Sequence, residues 1–370
     1  MLVGVPKEIK KNECRVGLTP SSVFEVTNLG HQVIVETNAG HEIGFEDSDY
    51  EAVGATIAKT AKEIFDKADL IVKVKEPQPE ECKMLKKNQT LFTYLHLAPD
   101  PEQTELLLES GCTAIAYETI TDSFGGLPLL SPMSEVAGRM SIQAGAKCLE
   151  NISGGSGKLL GGVPGVAAAN VVVLGGGVVG TNAIRMALGM GANVTIIDKS
   201  IKRLKELDSQ YGASLNTIYS TTHNISTYVQ DADLVIGAVL IPGASAPKLV
   251  TREMIKSMKR GSVVVDVAID QGGCFETSKP TTHENPTYVV DDVVHYCVAN
   301  MPGGCAKTAA IALNNATLPY LLELVKHGVR EALLKDAHFL NGLNVCKGKV
   351  TYKAVADAFG KEYVSPIDVL

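Results

Sequence analysis

The run VVVLGGGVVG sets Gly175, Gly177 and Gly180 in a G-x-G-x-x-G spacing, directly behind a β-branched stretch and at the opening of a helix. That spacing suits a strand–turn–helix that receives a pyrophosphate. One glycine makes the tight turn, one lets the backbone approach the phosphates, and one packs the helix on the sheet. The helix N-terminus then offers free N–H groups and the positive end of its dipole to the anion. Asp198 closes the next β-branched run, 18 residues past Gly180. A carboxylate there accepts from ribose hydroxyls and repels a 2′-phosphate, which favours NAD over NADP, although Lys199 beside it tempers that preference. The alternative is a glycine-rich turn without a ligand, and the strand, the helix and the acid together count against it.

Four more polar residues fall where strands should end: Lys75 after DLIVKV, His96 after TLFTYL, Asp270 after SVVVDVAI, and Arg15 in the loop behind the first strand. In doubly wound sheets, ligands bind beyond the carboxyl ends of the strands. Arg15 offers a planar fork suited to a carboxylate. Lys75 can polarise a carbonyl oxygen, and His96 can shuttle a proton near neutrality. Asp270, ahead of Gly272 and Gly273, can take a proton or orient an amine and its water. Each also has a structural reading: a solvated loop cation, a strand-end histidine, a turn-forming aspartate. Their shared placement points instead to a site for a small keto or amino acid. Lys73, two residues from Lys75, competes for the same role until the strand register is known. Glu323 and His327 stand four residues apart and could face one metal ion, but a surface carboxylate–histidine pair is the commoner use of that spacing. No other metal spacing and no G-x-S-x-G nucleophile motif is present.

The elements that must position these residues alternate. Strands are expected at Leu2–Val5, Gln32–Glu36, Leu70–Lys75, Thr90–His96 and Thr113–Glu118, separated by helices. A longer helix over Ser134–Glu150 leads to a second series, with strands at Asn170–Leu174, Asn193–Asp198, Asp233–Val239, Ser262–Ala268 and Tyr296–Val298. From Cys305 to Leu334 the pattern is helical with a break at Pro319, and Thr351–Phe359 is a short final helix. The fold class expected is α/β: two doubly wound, Rossmann-like parallel-sheet domains with a cleft between them.

Composition narrows the rest. The length of 370 residues suits two domains or three, and Lys+Arg 34 against Asp+Glu 41, with no basic run, gives no footprint for nucleic acid or anionic membrane. Lys7 arrives too early for a secretory signal, and Pro164, Asn170 and the glycines spoil the best apolar stretch as a membrane span. The eight cysteines are scattered without a C-x-x-C pair, as expected of reduced cytoplasmic thiols.

The segments VGVPKEIKKNECRVGLTP, VKVKEP, TYLHLAPD, SPMSEVAGRMS, VVVDVAIDQGGCFETS and VANMPG, spread over residues 3 to 303, resemble the alanine dehydrogenase family. The resemblance implies reversible, NAD-dependent oxidative deamination of L-alanine to pyruvate and ammonium, by a cytoplasmic homohexamer of two-domain subunits. It implies a discontinuous catalytic domain, residues 1–128 plus 306–370, around an NAD-binding domain at 129–305. Carried over by motif, Arg15 and Lys75 match substrate-binding residues, and His96 and Asp270 match the catalytic acid/base pair. Ser134, Val178, Val179, Asp198, Arg203 and Ser220 match cofactor contacts. So do Val239 and Leu240, then Val267, Ala268 and Ile269 with Asp270, and finally Val298, Ala299, Asn300 and Met301. Lys279 stands where the family pattern leads one to expect an arginine. Two rival readings share the fold: a nucleotide-binding subunit of a proton-translocating transhydrogenase, and an amino-acid dehydrogenase for another keto acid.

Overall fold

The computed structural model describes residues 1–239 and 246–370. Short runs rich in Val and Ile form its strands. In chain order these are β1 (Leu2–Val5), β2 (Gln32–Glu36), β3 (Thr56–Ala58), β4 (Leu70–Val72), β5 (Thr90–Thr93) and β6 (Thr113–Ala116). They are followed by β7 (Asn170–Leu174), β8 (Asn193–Asp198), β9 (Leu215–Tyr219), β10 (Leu234–Gly237), β11 (Val263–Asp266), β12 (Thr287–Val290) and β13 (Val293–Tyr296), then by β14 (Leu343–Cys346) and β15 (Lys349–Val350). The chain divides into two compact units, Met1–Met133 with Cys305–Leu370, and Ser134–Gly304.

Among the described residues the first unit carries an eight-stranded sheet ordered β15-β14-β6-β5-β4-β1-β2-β3. The second carries seven strands ordered β12-β13-β11-β10-β7-β8-β9. Both are parallel through their centres. The edges depart from the all-parallel expectation, because β14 runs antiparallel to β6 and to β15, and β12 antiparallel to β13. The central strands of the second unit are buried on both faces, which is why they read as unbroken apolar runs. Along β7, Val171 and Val173 pack with Ala183, Ile184 and Ala187 of the helix Val178–Gly189. Val172 and Leu174 face the other way, onto Val229, Met254 and Ile255.

Helix starts follow their capping residues. The side chains of Thr60, Asp100, Ser200, Thr221 and Thr251 each accept from a first-turn N–H, and Pro101 occupies the first turn behind Asp100. The expected break at Pro319 does not occur: one helix spans Ala306–His327. A proline inside a helix, which removes one backbone hydrogen bond and crowds the preceding turn, costs about 3 kcal/mol, and here the helix buries Leu313, Thr317, Leu321 and Leu324 while Asn314 Oδ1 accepts from the Thr19 N–H at 2.8 Å. Packing along the helix outweighs the proline. The strands expected to reach Lys75 and His96 stop earlier, at Val72 and Thr93. His96 has φ of +50°, a left-handed conformation that no strand can include. The strand expected at Tyr296–Val298 lies earlier, at Val293–Tyr296.

The core of the first unit turns on Phe92, fully buried and edge-on to Tyr117 with ring centroids 4.5 Å apart. Phe92→Ala should destabilise the protein by about 3–5 kcal/mol. Urea unfolding checks this, and a loss under about 1 kcal/mol would mean the site collapses around the cavity.

Candidate functional site

In the first unit the expected residues lie past the carboxyl ends of adjacent parallel strands. Arg15 is in the loop after β1, Lys75 just past β4 and His96 just past β5. Arg15 is buried, which sets aside the alternative of a solvated loop cation. Its Nε donates to Glu13 Oε1 at 2.7 Å and its Nη2 to Glu13 Oε2 at 2.5 Å, a two-point grip that fixes the guanidinium plane. Its Nη1 points to the sulfur of Met133, 3.0 Å away. Burial alone would raise the Glu13 carboxyl, but the hydrogen bonds and charge of Arg15 outweigh it and hold the group below the usual range.

Burial and ion pairing decide between the two lysines. Lys73 is fully buried, its ammonium 2.9 Å from Glu8 and 2.7 Å from Glu81, so it is committed to the interior. Lys75 is half-buried. Burial first, and then the charge of Arg15, pull its ammonium below the ordinary lysine value. His96 is nearly half exposed and lies parallel to the Tyr94 ring, with centroids 5.7 Å apart. Glu118, in the turn after β6, accepts its backbone N–H at 2.6 Å and stands 3.9 Å from its Nδ1.

In the second unit the residues expected to contact a cofactor gather along one sheet edge. Consecutive strands β13, β11, β10, β7, β8 and β9 are followed at their carboxyl ends by Val298–Met301, Val267–Asp270, Val239, the glycine loop, Asp198 and Ser220. Chain order reverses across β7, so the glycine loop sits at the switch point of the sheet. Leu240 lies outside the described residues. Ser134 is in the helix Ser131–Cys148. Lys279 holds its ammonium 4.4 Å from the centre of the Tyr288 ring.

The three glycines separate cleanly. A Cβ on Gly180 would collide with the Gly175 carbonyl, and Gly175 has φ of +97° against Ala238. Both are demanded by the fold. A Cβ on Gly177 would meet nothing within 4 Å, so the protein does not explain that glycine, whereas a ligand lying on the loop would. Gly177 also opens the helix Val178–Gly189 without a side-chain cap, leaving first-turn N–H groups for an anion. Asp198 accepts from the Gly176 N–H through Oδ2 and from the Ser200 N–H through Oδ1, both at 2.7 Å. Arg203 is occupied at all three nitrogens, by the Gly176 carbonyl, Thr181 and Glu206.

Asp270 is exposed in the short helical turn Val267–Gln271, and its Oδ1 lies 3.3 Å from the N–H of Asn300. What shapes that turn is Asp266, a fully buried carboxylate that the sequence reading passed over as part of a strand. It accepts from the N–H groups of Ala268 and Cys274 and from the Ser278 hydroxyl. Burial first pushes its carboxyl up, against these bonds. Glu13 and Glu118 were missed as well. Glu13 at least stands in the quoted opening motif, two residues from Arg15. Glu323 and His327 approach to 3.6 Å, but Glu323 is shared with Lys335 at 3.0 Å, and among the described residues no group of three or more His, Cys, Asp or Glu could hold a metal. Among them, too, no helix is long and apolar enough to cross a membrane.

A glycine loop at the switch point of one α/β unit, with strand-end polar groups on another, defines a two-domain protein with a nucleotide-binding Rossmann-type unit. The family models described as alanine dehydrogenase/PNT N-terminal and C-terminal domains match residues 4–137 and 141–353, and the chain belongs to that family. It is 60% identical, over all of both chains, to an alanine dehydrogenase of Halomonas elongata. It is 54% identical to one of Methanococcus maripaludis, over 98% of each. A solved L-alanine dehydrogenase superposes with a TM-score of 0.95 at 51% identity, covering 97% of this chain and 99% of that one. A transhydrogenase of Sinorhizobium meliloti reaches a TM-score of 0.84 at 26% identity, over 95% of this chain and 100% of that one.

The Glu13–Arg15 pair gives a pH test. A carboxyl held below its unfolded value stabilises fully above that value and loses the contribution as pH falls through the folded one. Glu13→Gln should therefore flatten the acid limb of the stability curve and, by leaving a buried guanidinium without its carboxylate, cost about 3–5 kcal/mol near neutrality. Melting temperatures from about pH 7 to about pH 3 check both effects. An unchanged acid limb would remove the pair from the acid response.

Proposed function

We propose that the chain catalyses the reversible, NAD-dependent oxidative deamination of L-alanine to pyruvate and ammonium. The observation that carries this reading is the end-to-end 60% identity to a protein named alanine dehydrogenase, in a chain that keeps Arg15, Lys75, His96 and Asp270 at strand ends. Unit Met1–Met133 with Cys305–Leu370 is read as the substrate and catalytic part, and unit Ser134–Gly304 as the cofactor part.

The glycine loop, Asp198 at the adenosine ribose, and Ser134, Ser220, Val239, Leu240, Val267, Lys279 and Val298–Met301 would hold the nicotinamide cofactor, which would supply the acceptor for the hydride that leaves the alanine Cα. The Asp198 carboxylate, together with an Arg203 already committed to Glu206 at 2.7 Å, favours NAD over NADP. Arg15, its plane fixed by Glu13, binds the substrate carboxylate. The Lys75 ammonium stabilises the oxygen that becomes the pyruvate carbonyl, and its lowered proton affinity makes it a stronger donor to that oxygen. His96 moves the proton as water adds to the iminium and the carbinolamine collapses, and Asp270 orients the amine and the water. A cytoplasmic homohexamer is the proposed form, and the eight unpaired thiols suit the reducing compartment.

Oxidation of NADH by the purified protein, given pyruvate and ammonium, tests the whole reading, with NADPH and 2-oxoglutarate as controls. Turnover that needs both substrates and is poor with NADPH supports it. NADH binding without turnover would favour the transhydrogenase-like alternative, to which the 26% identity gives some weight. His96→Ala and Asp270→Asn should each lower kcat at least ~100-fold with NADH binding retained. Near-normal turnover in either would withdraw that residue.

The glycine loop can be tested apart from chemistry. Gly177→Ala should fold with an unchanged melting temperature yet weaken NADH binding by about tenfold or more, whereas Gly180→Ala should lower the melting temperature itself. Equal NADH affinity in Gly177→Ala would show that the pyrophosphate lies elsewhere.

A further inference from the structure

Three charged side chains that the proposed mechanism does not use are buried together behind Lys75. The Lys73 ammonium lies between Glu8, after β1, and Glu81, in the short helix Pro79–Cys82. Two carboxylates and one ammonium out of water are costly, and apolar residues of similar size commonly serve stability as well or better. The arrangement therefore asks for another explanation, and its contacts supply one. The second oxygen of Glu8 accepts from the backbone N–H of Val74 at 2.6 Å and of Lys75 at 3.3 Å. On its other side, the Lys75 carbonyl accepts from the hydroxyl of Thr93, itself fully buried, at 3.0 Å. Strand β4 has already ended at Val72, so side chains take over where the ladder stops.

We propose that Glu8, held by Lys73, which Glu81 holds in turn, is a positioning residue for Lys75: with Thr93 it fixes the peptide from which the Lys75 ammonium reaches the keto acid. The proposal rests on Lys75 being the substrate lysine of the function proposed above. Glu8 touches no substrate and acts only through the lysine's placement.

Glu8→Gln preserves size but cannot preserve both links. An amide oxygen turned to the two N–H groups puts its NH2 against the Lys73 ammonium, and the opposite flip puts it against the N–H groups. Thr93→Val keeps the shape, removes only the donor to the Lys75 carbonyl, and leaves the buried charges intact. In the full-length protein, both variants should raise the KM for pyruvate about tenfold while kcat stays within about threefold and NADH affinity is unchanged. Competitive acetylation across pH, read by mass mapping of the peptide containing Lys75, should show its titration midpoint moved in both. A lower melting temperature with the KM and the Lys75 midpoint unchanged in both would overturn the proposal and leave the cluster a merely structural one. If Glu8→Gln fails to fold, Thr93→Val decides alone by the same two readouts. If the wild type oxidises no NADH with pyruvate and ammonium, the proposed function fails, while the Lys75 midpoint still decides the positioning.

Discussion

A parallel strand that ends leaves amide hydrogens with no neighbour to accept them, and both units place their candidate chemistry just there. The chain meets this need with carboxylates. Glu8 accepts from Val74 and Lys75, Glu13 from Arg15, Glu118 from Leu95 and His96, Asp198 from Gly176 and Ser200, and Asp266 from Ala268 and Cys274. A charged acceptor bonds backbone N–H more strongly than a neutral one. Each loop is thereby given one conformation without the help of a sheet partner, and the residues on it inherit that order. The cost is the burial of Glu8, Glu13 and Asp266, and for Glu8 and Asp266 burial raises the proton affinity.

The same device divides labour between neighbours in sequence. Of Lys73 and Lys75, one is spent on the interior and the other left half-buried; strand alternation would send both the same way, but the strand has ended at Val72 and the chain no longer follows it. Of Asp266 and Asp270, the first shapes the turn and the second is displayed on it. At the glycine loop the division is among glycines: Gly175 and Gly180 satisfy the backbone, and Gly177 leaves room.

Much of this was legible before any coordinates. Unbroken β-branched runs marked the central strands, and the glycine spacing with Asp198 marked the strand–turn–helix that stands at the switch point. The short edge elements were not legible. The β14–β15 hairpin turns through Lys347 and Gly348, and β12–β13 through Asp291 and Asp292, all with positive φ. Those pairs meet the backbone demand of a tight hairpin without the Asn-Gly signature that would announce it. Strand β9, LNTIY, mixes polar and apolar residues as befits a sheet edge. The supporting carboxylates were invisible for another reason: Glu8 is more than 60 residues from the amides it holds (|i−j| of 66 and 67), and no local pattern encodes such a meeting.

The left-handed backbone at His96 constrains which residues can occupy that position, independently of catalysis. Asn, Asp and Gly adopt that conformation most readily, and β-branched residues pay for it. Drift at position 96 is therefore channelled first by conformation. A descendant that lost the imidazole for Asn could keep the loop, the Glu118 contact to its N–H and the fold, and so persist as a well-folded protein without the proton shuttle proposed for His96.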